Sequence, residues 1–169
     1  MIDVKALLAL QNHETATLEA KQATGGLPES LWETYSAFAN TSGGIILLGV
    51  EELEDKTLRP CGLYDAAAMV EEIWATLNNP QKVSKNVVTK GGIYIQTVDH
   101  KDVIVLEVPE ADFCQKPIYL EGDIRNESYV RSGDGDYRAQ SELGIPLFEL
   151  TEQIAREERE KEKHSNAAK

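Results

Sequence analysis

Basic residues are the scarce charge in this sequence. Seventeen Lys and Arg stand against 29 Asp and Glu over 169 residues, for a net charge of −12. Such a chain repels nucleic acid at long range unless its cations gather on one face, so the charge balance alone argues against a phosphate-backbone binder. Cysteine is scarcer still. Cys61 and Cys114 belong to no C-x-x-C and form no cluster with His13, His100 or His164, which excludes a zinc site and thiol catalysis. Two thiols are too few for a disulfide framework. Met1-Ile2-Asp3-Val4 has neither the basic nor the apolar region of an export signal, so free thiols in a reducing cytoplasm are expected. No window approaches about 18 consecutive apolar residues, and neither a spanning helix nor a membrane partner is expected. Phosphate-binding fingerprints are missing as well. There is no G-x-G-x-x-G and no Gly-Lys-Ser/Thr, and Gly43-Gly44 stand between a helix and a strand, the reverse of the order those fingerprints use.

What is present suits one ordinary domain: 41% hydrophobic and 27% charged residues, no repeat and no Pro- or Ser-rich linker. A domain over 1–145 with a helical extension or tail over 146–169 is expected. Apolar spacing predicts a short helix over 3–10, and Thr17 to Lys21 alternates as a strand with Glu19 and Lys21 on one face. Leu31, Trp32, Tyr35 and Phe38 describe one face of a helix over 28–41. The continuous run Ile45 to Val50 reads as a strand buried on both faces, and Leu58 to Leu63 as its hairpin partner. Asp65 predicts an N-cap for a helix that Asn78-Asn79-Pro80 ends. Period two then predicts strands over 83–89, 93–98 and 103–108, with shorter ones at 118–120 and 128–131 and a C-terminal helix over about 142–163. Trp32, Phe38, Ile46, Leu48, Ile73, Ile104 and Leu106 are the expected core. The expected fold class is α/β (α+β), a mixed sheet with packed helices.

Two groups of residues could carry chemistry. Glu14 and Glu19 flank the first strand, and Glu51 and Glu52 stand where the buried run emerges. If those strands are neighbours, three carboxylates converge, and hard oxygen ligands in that number suit Mg²⁺ or Mn²⁺. Among 29 acids such proximity also arises by chance. Lys116, Arg125, Arg131 and Arg138 interleave with Tyr119, Tyr129 and Tyr137, a mixture that grips phosphate and stacks bases, or forms ordinary strand surface.

Four stretches carry a resemblance: Glu14 with Leu18-Glu19-Ala20-Lys21; the run from Ser36 to Glu52 through Asn40-Thr41-Ser42-Gly43-Gly44 and Gly49-Val50; Lys116-Pro117-Ile118-Tyr119; and Tyr129-Val130-Arg131-Ser132-Gly133-Asp134-Gly135. Over roughly residues 10–140 the chain resembles the Schlafen/AlbA-like family of DNA-binding domains, found at the front of many bacterial transcriptional regulators. The resemblance implies an AlbA-like fold with Asn40, Gly43, Gly44 and Gly49 as its structural motif. It implies a nucleic-acid partner, DNA or else RNA, met by a module without catalysis or cofactor of its own. A coherent basic groove around Lys21, Lys116, Arg131 and Arg138 would favour that reading. Bacterial members often carry a further C-terminal region, which implies either a domain of a longer parent protein or a short stand-alone member. Eukaryotic Schlafen relatives imply an alternative, a metal-dependent endoribonuclease in which Glu14, Glu19 and Glu52 hold Mg²⁺ or Mn²⁺, with Glu52 standing where Asp is usual. Those nucleases surround RNA with two lobes, so a single lobe would need a homodimer. Net charge favours a third reading, a protein-interaction or oligomerisation module.

Overall fold

The computed structural model describes residues 1–139 together with Arg159. Arg159 aside, the expected C-terminal helix and the boundary at 145 lie outside the described residues. Asp3 caps helix α1 (Val4–Leu10) by accepting the Ala6 N–H. Strand β1 (Leu18–Lys21) alternates as its sequence predicts, with Leu18 and Ala20 buried and Glu19 and Lys21 on the other face. Helix α2 (Ser30–Asn40) buries Leu31, Tyr35, Phe38 and Ala39. Trp32, expected in the core, is only half-buried and packs edge-on against Tyr35. Gly43 turns the chain at φ +72°, so close to Val108 that a Cβ would lie 2.7 Å from its carbonyl oxygen. A side chain there would meet both the left-handed penalty and a backbone clash.

Strand β2 (Gly44–Leu48) runs parallel to β1. The apolar run does not continue as one strand, because Gly49 at φ +86° breaks it. Strand β3 (Val50–Glu52) then pairs with β4 (Leu58–Pro60) as a separate hairpin. Helix α3 (Ala66–Leu77) starts where Asp65 accepts the Ala68 N–H. Strands β5 (Ile93–Val98) and β6 (Lys101–Val108) form an antiparallel hairpin turning at Asp99 and His100. Strands β7 (Tyr129–Ser132) and β8 (Gly135–Arg138) form another.

The main sheet has the order β1-β2-β6-β5 and is mixed, since β1 is parallel to β2 and the other pairs are antiparallel. Residues alternate between two apolar layers. Ile46, Leu48, Ile93, Ile104 and Leu106 pack under α2 and α3. Leu47, Val103 and Val105 face the opposite way, onto Val4, Leu7 and Leu8 of α1. The sheet is therefore covered on both faces, as its continuous apolar runs require. Among the described residues no helix is long and apolar enough to cross a membrane.

Two expected strands do not form. Over 83–89 the backbone is held by side chains instead: the Tyr35 hydroxyl donates to the Lys85 carbonyl at 2.8 Å and accepts the Val87 N–H at 3.0 Å, while Asn86 accepts the Val88 N–H. Groups satisfied this way have no need of a ladder. Over 118–120 only isolated bridges remain. There the Asn40 side chain takes the Ile118 N–H at 2.7 Å and donates to the carbonyls of Ile118 and Tyr129, both at 2.9 Å. Asn40 thus ties the end of α2 to two distant segments.

Candidate functional site

The parallel pairing of β1 with β2 and the docking of the β7–β8 hairpin on α2 bring the charged motif residues together around Glu19. Arg131 on β7 faces Asp136 on β8 in the hairpin register, and its side chain is only 1% exposed. One guanidinium nitrogen lies 2.8 Å from Asp136 Oδ1; the other lies 3.0 Å from Glu19 Oε2 and donates to the Thr15 carbonyl at 2.7 Å. The guanidinium stacks over the Phe38 ring at 4.8 Å. Thr34 of α2 donates to the second oxygen of Asp136 at 2.6 Å. Burial works against the charge on Arg131, but Asp136 and Glu19 outweigh it and hold the proton more firmly than water would. Lys21 completes the group, its ammonium 3.3 Å from Glu19 Oε1.

Glu14 borders this cluster and accepts the Ala20 N–H at 3.2 Å. Its pKa is pushed up to about 7, first by burial and next by the negative charge of Glu19, with Glu52 adding to the rise. The hydrogen bond from Ala20 and the charge of Arg131 pull the other way. The three candidate carboxylates are therefore close enough for two of them to act on the third. They do not make a donor set for a divalent ion, which wants several free oxygens converging. Both oxygens of Glu19 face cations, one oxygen of Glu14 holds a backbone amide, and Glu52 lies 3.4 Å from Lys56. Among the described residues no group of three or more His, Cys, Asp or Glu is arranged to hold a metal ion. The arrangement can hold a proton and anchor a hairpin.

The four cations of the expected basic groove, Lys21, Lys116, Arg131 and Arg138, do not share one groove. Lys21 and Arg131 are turned inward onto Glu19, away from any phosphate. Arg138 stands in a separate cleft of about 640 Å³ whose walls include Glu29, Glu33, Glu121 and Glu127 beside Trp32. Lys116 belongs to a third place, where it pairs with Glu110 at 3.5 Å and lies 5.4 Å from the Phe113 ring centroid. There Ser84, Lys85, Gln115, Lys116, Tyr119 and Arg159 line a cleft of about 170 Å³, and no carboxylate is among its described lining residues. Lys85 is exposed and makes no ion pair among the described residues. Sequence reasoning missed Lys85, because nothing local distinguishes it from any surface lysine. It also missed Asp136, although the turn Ser132-Gly133-Asp134-Gly135 carries the signal that sets Arg131 opposite it.

A sequence model of the family described as Schlafen, AlbA_2 matches residues 14–140. Among solved structures, the chain is similar to the N-terminal domain of a protein from Nitrosomonas europaea described as related to the ATP-dependent DNA helicase RecG. That likeness has 30% identity and a TM-score of 0.61, and covers 82% of this chain and 94% of that one. The fold is also shared with the DIP2311 protein of Corynebacterium diphtheriae, at 17% identity and a TM-score of 0.51, over 80% of this chain and 29% of that one. No curated protein gives a significant match.

Proposed function

The chain belongs to the Schlafen AlbA_2 family, and from that premise we propose that it is a nucleic-acid-binding module, with DNA as its ligand, that serves a transcriptional regulator and has no catalysis of its own. The observation that carries this reading is the likeness to the N-terminal domain of the RecG-related protein, which extends over 94% of that domain. The cleft between Lys85 and Lys116 supports it. Lys85 supplies an exposed charge for phosphate, Lys116 a second one shared with Glu110, and Tyr119 an aromatic surface beside them. In a chain of net charge −12, a cleft with no carboxylate among its described lining residues repels a polyanion less than the glutamate-walled cleft at Arg138.

Fluorescence anisotropy with labelled duplex and single-stranded DNA at low and moderate salt tests the proposal. Binding should weaken as salt rises, with a log–log slope of about −0.9 per phosphate contact on duplex. Lys85→Glu with Lys116→Glu should abolish it. No binding to either form at low salt would remove the reading for this chain. The same panel with Mn²⁺ and labelled tRNA separates the endoribonuclease alternative. Cleavage lost in Glu14→Gln would establish that alternative instead.

A further inference from the structure

The main sheet ends in two edges that the chain treats differently. At the β1 edge, Arg131 donates to the Thr15 and Leu18 carbonyls at 2.7 and 3.4 Å, and Thr15 bridges back to Leu18. That edge is already occupied. Among the described residues the β5 edge has no such cover. Its sequence, Ile93-Tyr94-Ile95-Gln96-Thr97-Val98, contains no charge, no Pro and no Gly, within a chain of net charge −12. The Glu107 N–H bond to the Gly92 carbonyl sets the phase of the β5–β6 ladder. By the alternation of antiparallel pairs, Ile93, Ile95 and Thr97 then point their N–H and C=O groups away from β6. Among the described residues these groups have no backbone partner. Ile95 is 40% exposed, although its neighbour across the ladder, Ile104, is fully buried. On the layer beneath α3, Ile93 is buried at this edge and Ile95 is left exposed among the described residues. Proteins ordinarily blunt such an edge with charge, Pro or a bulge.

We propose that β5 is the docking edge for a second copy of this chain, pairing antiparallel with its own counterpart about a two-fold axis through Ile95. A second copy fits because the edge is self-complementary. The outward residues 93, 95 and 97 are symmetric about Ile95, so Ile95 would face Ile95 of the other copy, and Ile93 would face Thr97. Each facing pair would exchange both N–H···O bonds, and the same patch would serve both partners, as a two-fold interface requires. Two copies of net charge −12 repel each other, and contact along a strand without carboxylates keeps that repulsion out of the interface. The product is one continuous sheet running through both copies.

Sedimentation equilibrium of the full chain, from low micromolar to millimolar concentration, tests the proposal. The mass should rise to that of two chains. Ile95→Lys sets like charges face to face on the axis. Thr97→Pro deletes an outward N–H that makes no ladder bond to β6. Each variant should raise the dissociation constant tenfold or more while leaving the circular dichroism spectrum unchanged. A wild-type mass of one chain throughout, or a dimer that neither variant weakens, overturns it. Should a variant fail to fold, hydrogen exchange on the wild-type chain decides. Protection of the Ile95 amide that grows with concentration supports the pairing, and protection independent of concentration contradicts it.

Discussion

At the scale of single residues, Arg131 and Glu14 show how burial redirects charge that a sequence only names. Arg131 sits beside tyrosines in a motif that suggests a phosphate grip, yet its guanidinium is enclosed by Glu19, Asp136 and the Thr15 carbonyl. Breaking a buried ion pair by removing one partner leaves the other charge uncompensated, at a cost of about 3–5 kcal/mol. Arg131→Ala should therefore lower the urea midpoint by that much stability at unchanged m-value. Arg131→Lys should lose less, because it keeps the charge without the two-sided fork. Glu14 works through pH. It holds its proton with a pKa of about 7 in the fold against an ordinary 4.5. The native state thus binds more protons than the unfolded chain across that interval, and stability falls as pH rises through it, then levels off. Glu14→Gln removes the loss. Its melting temperature should exceed wild type at about pH 8 by roughly 2–4 °C, for ~1 kcal/mol after solvent screening, and should match wild type near about pH 4. An advantage for the variant that is equal at both pH values would contradict the assignment.

At the scale of elements, periodic segments were legible and conditional ones were not. The alternation of β1, the apolar face of α2, the Asp65 cap and the β5–β6 hairpin follow from local spacing and turn chemistry, and all appear in the structure. The segment 83–89 alternates too, but Tyr35, some fifty residues earlier, satisfies its backbone. No local pattern reveals a partner at that distance. The break after Leu48 was hidden in an apolar run because only the backbone angle at Gly49 creates it. Gly43 is the most exacting of these turns. Gly43→Ala should cost about 1–3 kcal/mol from the left-handed conformation alone, and more from the approach of Val108 and Glu110. A loss of less than that in urea denaturation would mean that the turn relaxes.

At the scale of the whole molecule, the acidic balance was plain in the sequence while the distribution of cations was not. Among the described residues, Lys21, Lys116, Arg131 and Arg138 each face neighbouring acids, whereas Lys85 is exposed at a cleft whose described lining residues include no carboxylate. The proximity of Glu14, Glu19 and Glu52 was legible from the motif. The occupation of Glu19 by Arg131 was not, because it depends on a hairpin more than a hundred residues away in the chain. The central claim, that nucleic acid is met at the Lys85–Lys116 cleft and not at the Glu19 cluster, is tested most directly by amide chemical-shift mapping of the chain titrated with a short DNA duplex at low salt. Perturbations should concentrate at Ser84–Lys85 and Gln115–Tyr119 and fade as salt is added. Perturbations centred on Glu19, Lys21 and Arg131, or none anywhere, would contradict the account.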